Sequence, residues 1–262
     1  MSAPVPSGTR RPLSAVVIAR DEEQRIGACL ESLSFADEIV VVESGSTDRT
    51  VEIARRFTDR VITAPWRGFG PQKQAAVALA SHDLVLNVDC DERVPSELAA
   101  EIAALQAAPS LAAAYAIPRR TFMGDKEIRF CGWSPDRIVR LFDRTRAGFT
   151  GDLVHETVVA RGELGTCREA LLHHSFRGFG DLVAKLNRYS DLAARQMHER
   201  GRRPSALDGL RPAFAFVRTY VLRLGFLDGF EGLEIAVADA LGTFARYAKL
   251  RELYGAARAA RR

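Results

Sequence analysis

Three acidic residues lie close together near the middle of the chain, directly after an apolar run. Asp89, Asp91 and Glu92 follow residues 84–88, whose composition is typical of a strand buried on both faces. Open α/β sheets bind ligands at the carboxyl ends of their strands, so we expect these acids on the rim of a cleft. Carboxylates at this spacing suit Mg²⁺ or Mn²⁺, which complete their coordination shells with substrate phosphates. The acids predict a metal-bridged diphosphate site, and a solvated acidic turn is the alternative.

The flanking segments predict the sheet that must position these acids. Strands are expected over 13–19, 38–43 and 60–64, and helices over 26–33, 49–57, 71 or 72 to 80, and 96–106. This alternation predicts an α/β protein with a mostly parallel, Rossmann-like sheet flanked by helices. The chain has no Gly-x-Gly-x-x-Gly after the first strand and no Walker-type Gly-Lys-Ser/Thr, which disfavours a dinucleotide oxidoreductase or a P-loop enzyme.

The pattern of predicted strands and helices changes after residue 112 and again near residue 179. Residues 114–120, 137–142 and 157–160 resemble strands joined by irregular segments, and the chain reads as helical from about residue 179. We therefore predict a flexible tail over 1–12, an α/β domain over 13–178 with halves 13–112 and 113–178, and a basic amphipathic helical extension over 179–262.

Composition limits the class of protein. The 262 residues are 47% hydrophobic, which is enough for a sizeable core. Four widely spaced cysteines without a Cys-x-x-Cys argue against a zinc ribbon or a disulfide framework and favour a reducing compartment. We expect no secretory signal at the N-terminus, and the longest uncharged run, residues 102–118, falls short of the roughly 20 residues that span a bilayer.

Positive charge concentrates in the C-terminal third. The net charge is +4, and residues 177–262 hold 16 Lys and Arg against 9 Asp and Glu. A basic amphipathic helix can lie on an anionic membrane, and packing on its own domain or a homodimer through these helices are the alternatives. No nucleic-acid reader motif is present, so we expect no nucleic-acid partner. The arginines beside the apolar faces are Arg188, Arg195, Arg202, Arg203, Arg211, Arg218 and Arg223.

Four motifs together resemble those of a family 2 glycosyltransferase. They are AVVIARDEE at 15–23, VESGSTD at 42–48, GFGPQKQ at 68–74 and DCDE at 89–92. With GDLVHE at 151–156 and GFLDG at 225–229, they are similar to the bacterial β-1,4-glucosyltransferases of the lipopolysaccharide inner core, over about residues 13–254. Two positions depart from the family pattern. Glu43 stands where Asp is more common, and Asp21 stands where Asn is frequent, which leaves the role of Asp21 open.

The resemblance implies a GT-A fold, a nucleotide-sugar donor, a divalent metal (Mg²⁺ or Mn²⁺) and inversion at the anomeric carbon. Residues 13–112 would form the nucleotide-sugar half and residues 113–178 the acceptor half. A metal at Asp91, helped by Asp89, would offset the charge of the leaving diphosphate. One of the adjacent histidines, His173 and His174, would complete the metal shell, and His174 is the one expected. A histidine satisfied by backbone is the alternative. The residues expected at the nucleotide are Ala19, Glu43, Lys73 and Asp89. Glu43 would accept a hydrogen bond from the base. For Lys73, a solvated surface lysine is the alternative.

An inverting transfer also needs a base for the acceptor hydroxyl. The resemblance gives this role to Glu156, with Asp152 as runner-up and an ion pair with a nearby arginine as the alternative. For the acceptor, Trp133 could stack on the sugar or belong to the core, and His155 could orient Glu156, touch the diphosphate or simply pack. Arg137 and Arg140, expected on one side of a strand, could hold a phosphorylated acceptor or form ordinary ion pairs.

These expectations combine into one functional prediction. The chain would be a cytoplasmic enzyme, peripheral at the inner membrane face, that moves a hexose to a lipid-linked acceptor. Glucose from UDP-glucose is the expected donor, and the lipopolysaccharide inner core is the expected acceptor. The alternatives are another donor, a polyprenyl-phosphate acceptor, or a non-catalytic sugar-nucleotide or membrane-surface binding protein of the same fold.

Overall fold

The computed structural model describes residues 10–150 and 156–259 of the chain. They group into two compact units. The first unit comprises Met1–Arg119 and Asp136–His173, and the second comprises Arg120–Pro135 and His174–Arg262. The division of the sequence at residue 179 stays a prediction.

Strands and helices alternate through the first part of the chain. The order is β1 (Leu13–Ala19), α1 (Ile26–Glu31), β2 (Glu38–Glu43), α2 (Thr50–Ala54), β3 (Val61–Thr63), α3 (Phe69–Leu79), β4 (Leu84–Asp89), β5 (Glu92–Arg93) and α4 (Ser96–Ala107). Every residue of β1 is buried, which explains why all its residues except Ser14 are apolar.

Shorter strands follow, and helices complete the chain. The strands are β6 (Ala114–Met123), β7 (Lys126–Ile128), β8 (Asp136–Asp143), β9 (Ala147–Phe149), β10 (Val158–Ala160), β11 (Leu164–Thr166) and β12 (Leu171–Phe176). The helices are α5 (Phe179–Glu199), α6 (Arg211–Val217) and α7 (Phe230–Ala259), with 3-10 turns at Ala206–Gly209 and Gly225–Asp228 and a π-type turn at Arg218–Leu222.

The main sheet has the strand order β3-β2-β1-β4-β8-β6-β12-β5. Strands β3, β2, β1 and β4 run parallel, and β8 joins β4 in the antiparallel direction. The register aligns Ala19 with Glu43 and Ile18 with Asp89, so β1, β2 and β4 end at the same edge. The predicted α/β, GT-A-type architecture is confirmed. A ligand is expected at this common edge, marked by Ala19, Glu43 and Asp89, which we call the ligand edge.

Apolar clusters cover both faces of the sheet in the first unit. Helices α1 and α4 contribute Ile26, Leu30 and Ile102 to one cluster. Helix α3 contributes Ala76 and Val77 to the other. Because both faces are covered, polar groups of the parallel strands reach solvent chiefly at the strand ends, where the acids lie.

The second unit has a core of its own. Met123, Ile128 and Cys131 pack with Leu182 of α5 and Ile235 of α7. Within the described part of the chain, no helix is both long and apolar enough to cross a membrane.

Candidate active site

The loops that follow β1 and β2 are fastened to each other by hydrogen bonds. The Asp21 carboxylate accepts from the backbone N–H of Thr47 at 2.7 Å and from its hydroxyl at 3.1 Å. The N–H of Glu22 donates to the Thr50 hydroxyl at 2.7 Å. Asp21 has a φ of 53°, a left-handed conformation that Asp tolerates better than most residues. Asp21 therefore fastens the two loops to each other, and an asparagine oxygen could accept the same bonds.

Glu43 ends β2 as a buried carboxylate, only 3% exposed. Its Oε2 accepts from the backbone N–H groups of Gly45 and Ser46, both at 2.9 Å. Burial raises the pKa of Glu43, but hydrogen bonds from Ser46, Thr63 and Gly45 outweigh it and leave the pKa below the ordinary value. Beside it, the carbonyl of Ala19 accepts from the N–H of Ser44 at 3.0 Å. Both residues lie at the ligand edge, and their contact with a nucleotide stays a prediction.

Lys73, on α3, is a buried ammonium, so the alternative of a solvated surface lysine is wrong. Its side chain is 3% exposed, and Nζ lies 2.8 Å from Asp89 Oδ1 and 2.8 Å from Glu156 Oε1. A buried charge is tolerated when opposite charges and hydrogen bonds surround it, and these two carboxylates supply both. The structure therefore joins the acid of β4 to the predicted base through one cation.

A short chain of contacts brings Glu156 to this place. Gln74, next to Lys73 on α3, accepts a hydrogen bond from the N–H of Phe149 at 2.8 Å. Phe149 pairs with Val158 in the β9–β10 hairpin, and Thr150 N–H donates to the Thr157 carbonyl at 2.9 Å. The hairpin thus holds Glu156, which directly precedes Thr157, over α3. The ion pair of Glu156 is with this lysine rather than with an arginine.

Arg140 is the second buried cation of the site, at 6% exposure. It donates to Asn87 Oδ1 at 2.9 Å, to Glu92 Oε1 at 2.7 Å and to the Asp89 carboxylate. Burial lowers the pKa of Arg140, but the attraction of Asp89 and Glu92 raises it above its ordinary value. For Arg140 the ion-pair alternative is the one observed, and the acceptor-binding prediction is not supported.

The expectation that Arg137 and Arg140 share one side of a strand is wrong. Arg137 is exposed and Arg140 is buried. The two are three positions apart, and the β6–β8 register shifts from Tyr115 opposite Leu141 to Ala116 opposite Val139, so Arg140 is the extra residue of a bulge. Bulges redirect side chains, and this one places Arg140 among the acids.

Asp89 is held between these two cations. Burial raises the pKa of Asp89, but Arg140 and Lys73 lower it well below the usual range. The backbone N–H of Asp89 donates to Glu92 Oε2 at 2.9 Å, and Glu92 is fully buried. Glu92 therefore holds the Asp89 backbone and Arg140 from a buried position. The expectation that Glu92 lies on the rim of a cleft is wrong.

Asp91 lies beside a histidine, but not the one that the sequence favoured. Nε2 of His173 is 3.4 Å from Asp91 Oδ2, and His173 stands opposite Glu92 in the β5–β12 pairing. The predicted ligand, His174, belongs to the second unit, where it stacks on Phe122 with ring centroids 5.1 Å apart. A carboxylate suits Mn²⁺ and Mg²⁺, whereas an imidazole suits a transition metal better than Mg²⁺, so Asp91 and His173 fit a Mn²⁺ site with substrate oxygens as further ligands. The described residues hold no ready-made cluster of three or more metal-ligating side chains.

Of the remaining predicted residues, the structure describes Trp133 alone. Trp133 packs in the second unit, with its ring 5.5 Å from Phe176 and against the core of that unit, so the core alternative holds. Asp152 and His155 fall outside the described residues.

Sequence reasoning missed two contributors to the site, Asn87 and Arg119. Asn87 orients Arg140 together with Glu92, while Arg119 lies 3.4 Å from Glu92 and also pairs with Asp136. The only available signal was that Asn87 interrupts an otherwise apolar strand, since a buried polar side chain requires a partner.

The model of the glycosyl transferase family 2 matches residues 14–162, which include all these site residues except His173. The chain belongs to glycosyl transferase family 2. Two relatives extend the likeness of this family 2 chain beyond that range. The lipopolysaccharide core biosynthesis glycosyltransferase LpsC of Rhizobium meliloti is 32% identical over 252 residues, which cover 91% of this chain and 92% of LpsC. An uncharacterized glycosyltransferase of Rickettsia bellii is 32% identical over 257 residues, covering 93% of this chain and 87% of the relative.

One solved structure with partial likeness is glucosyl-3-phosphoglycerate synthase of Mycobacterium tuberculosis in complex with Mg²⁺ and uridine diphosphate. It is 27% identical over 42% of this family 2 chain and 44% of its own chain, with a TM-score of 0.35. The likeness therefore covers less than half of either chain.

Proposed function

We propose that this family 2 glycosyltransferase is a metal-dependent, inverting enzyme that moves a hexose from a nucleotide-sugar to a lipid-linked acceptor. Glucose from UDP-glucose is the proposed donor, and the lipopolysaccharide inner core is the proposed acceptor. The observation that carries the proposal is the single network in which Lys73 joins Asp89, at the ligand edge, to Glu156. The likeness to LpsC supports the choice of acceptor.

The acidic residues at the ligand edge would have different roles in the transfer. Asp91 and His173 would hold the divalent ion, which supplies charge stabilisation for the leaving diphosphate. Asp89 stays with Arg140 and Lys73, because its two ion pairs already satisfy it. Glu43 and the loop that it fixes would receive the nucleoside end of the donor.

Glu156 would act as the base. Its carboxylate takes the proton of the acceptor hydroxyl, the hydroxyl oxygen forms a bond to the anomeric carbon, and the bond from that carbon to the diphosphate oxygen breaks with its electron pair on the diphosphate. Attack from the side opposite the leaving group inverts the anomeric carbon. The proton is then on Glu156, beside the Lys73 ammonium.

We also propose that transfer occurs at the cytoplasmic face of the inner membrane, where a lipid-linked core acceptor and a nucleotide-sugar would meet. The structural support is the exposed apolar and basic surface of the second unit.

The test is release of UDP by the purified full-length protein from a panel of UDP-sugars with Mg²⁺ or Mn²⁺. We expect UDP-glucose to give the fastest release, chelation to abolish it, and a truncated lipopolysaccharide core acceptor to accelerate it more than polyprenyl phosphate does. Absence of metal-dependent release from every donor would contradict the enzyme, whereas stimulation by polyprenyl phosphate alone would replace the acceptor.

A further inference from the structure

Residues 206–230 form a series of short helical pieces in the second unit. A 3-10 turn, helix α6, a π-type turn and a second 3-10 turn follow one another and lead into α7. Phe216 stacks on Tyr220 at 5.4 Å, and Tyr220 contacts Phe226 at 6.3 Å, so the pieces are packed together. The segment is thus an ordered surface of this unit.

One row of large apolar residues runs along this segment on the solvent side. Six of them recur at intervals of three and four along these consecutive helical pieces, and all six are exposed. Their exposed fractions run from 43% for Leu224 to 68% for Leu210. We call this row the apolar stripe: Leu207, Leu210, Phe214, Val217, Val221 and Leu224.

The side of the segment that is buried carries small or polar residues instead. Ala215 is 3% exposed and Thr219 is 2% exposed, and the Thr219 hydroxyl donates to Asp239 of α7 at 2.6 Å. A surface helix of a globular protein normally buries its large apolar side chains and exposes polar ones. Here the arrangement is reversed, and Leu222 and Phe230, at 66% and 70% exposure, enlarge the exposed apolar surface.

The charges beside the stripe have one sign at the surface. Asp208 and Asp228, the acids between residues 203 and 230, are buried at 3% and 2% exposure. Asp228 accepts from the backbone N–H groups of Arg129 and Phe130, at 3.0 and 2.8 Å. The exposed charged residues of this interval are the arginines at positions 203, 211 and 223.

We propose that the apolar stripe docks this protein on an anionic lipid surface. Apolar side chains flanked by arginines match the boundary between acyl chains and anionic headgroups, where amphipathic helices lie in the plane of the membrane. The local backbone is satisfied internally, since the N–H of Arg223 donates to the Arg218 carbonyl at 2.8 Å and that of Leu224 to the Val221 carbonyl at 3.1 Å. The inference deepens the proposed function, and its link to a lipid-linked acceptor rests on that proposal.

A second copy of the chain fits this surface less well. A two-fold dimer brings identical patches together, so the exposed arginines of one copy would face those of the other. The acids of the interval are buried and already bonded within the chain, Asp208 to Arg202 and Arg211 and Asp228 to two backbone N–H groups, so they are poorly placed to pair with arginines of a second copy. Anionic headgroups supply the missing negative charge.

The test is co-sedimentation of the full-length protein with vesicles of phosphatidylglycerol and phosphatidylcholine at low and physiological salt. The double variant Phe214→Ser/Phe230→Ser should reduce partitioning at least tenfold, because two large apolar side chains no longer leave water. The matched control is Val159→Ser/Leu164→Ser, which removes residues of 59% and 56% exposure from the first unit and should bind as the parent does. Arg223→Gln should lower binding about fivefold on anionic vesicles and leave pure phosphatidylcholine unaffected.

A direct readout of insertion is Phe214→Trp with brominated acyl chains, which should quench its fluorescence, whereas Leu164→Trp should stay unquenched. The proposal is overturned if the parent protein does not bind anionic vesicles at low salt, or if Phe214→Ser/Phe230→Ser binds equally well. It is also overturned if that variant only converts a dimer to a monomer, which would make the stripe an interface between copies. UDP release by the same preparations separates the two proposals: vesicle binding without UDP release contradicts the proposed activity alone.

Discussion

The Nζ of Lys73 lies 2.8 Å from Oε1 of Glu156, so the candidate base faces a buried ammonium. The same ammonium contacts Asp89, and Lys73 therefore sets the distance between the ligand edge and the base. We predict that Lys73→Met lowers kcat/KM by at least tenfold, because Glu156 loses the contact that positions it. Lys73→Arg should recover little activity, since a planar guanidinium cannot replace a compact ammonium between two carboxylates. Steady-state kinetics on folded protein decide; parent-like kcat/KM in Lys73→Met would rule out this positioning role.

Glu156→Gln tests the base itself. The amide cannot take the proton of the acceptor hydroxyl, so kcat should fall about 10²- to 10⁴-fold while the KM for the donor changes little. Glu163→Gln is the matched control, because Glu163 is an exposed carboxylate of the same unit. A Glu156→Gln enzyme with parent-like kcat would require another base, and Asp152 would be the next residue to test.

The adjacent histidines permit a sharp test of the metal site. Since His173 lies 3.4 Å from Asp91 and His174 stacks on Phe122, His173→Gln should raise the Mn²⁺ concentration for half-maximal activity tenfold or more. Asp91→Asn should do the same or abolish metal dependence, whereas His174→Gln should leave the metal titration unchanged. A larger effect of His174→Gln than of His173→Gln on the metal titration would instead support His174 as the ligand, as predicted from the sequence.

Arg140 should matter for stability as well as for activity. Arg140→Met leaves the fully buried Glu92 without its closest cation, and breaking a buried pair from one side costs about 3–5 kcal/mol of the free energy of unfolding. Arg140→Met/Glu92→Gln should recover part of this loss. The exposed Arg137→Met should stay within about 0.5 kcal/mol of the parent in urea unfolding. Equal effects at positions 137 and 140 would contradict the network.

We predict that Asp208, in the second unit, makes a pH-dependent contribution to the free energy of unfolding. Burial raises the pKa of Asp208, but the Ser205 N–H and the guanidinium groups of Arg202 and Arg211 outweigh it and hold the pKa below the ordinary 3.8. A depressed folded-state pKa stabilises the protein above the unfolded value, and this stability is lost as the pH falls below about 3.8 towards the folded value. Asp208→Asn should therefore be less stable than the parent at pH 7, with the difference narrowing below pH 4 in urea unfolding. A constant difference across this range would refute the ionic role.

The parallel half of the sheet could be predicted because its signals are local. Strands β1 and β2 have the bounds that their sequences indicate, since a strand buried on both faces is mostly apolar. The acids at the end of β4 follow from the same pattern. The match of the glycosyl transferase family 2 model confirms what the motifs indicated about the family.

The connections within the site could not be predicted because they depend on distant partners. Lys73 is buried only because residues 16 and 83 positions away supply its counter-charges. Arg140 reaches Asp89 through a bulge, which has no signature in the alternation of β8. The choice between His173 and His174 depends on the pairing of β12 with β5, and the two-residue strand β5 is too short to leave a periodic signal.

A Mn²⁺ and UDP soak of crystals tests most directly whether Asp91 and His173 hold the divalent ion. We predict an anomalous-scattering peak within coordination distance of Asp91 Oδ and His173 Nε2, with the UDP diphosphate completing the shell and the uracil towards Glu43. A peak elsewhere on the protein, or UDP bound away from the ends of β1, β2 and β4, would contradict the account.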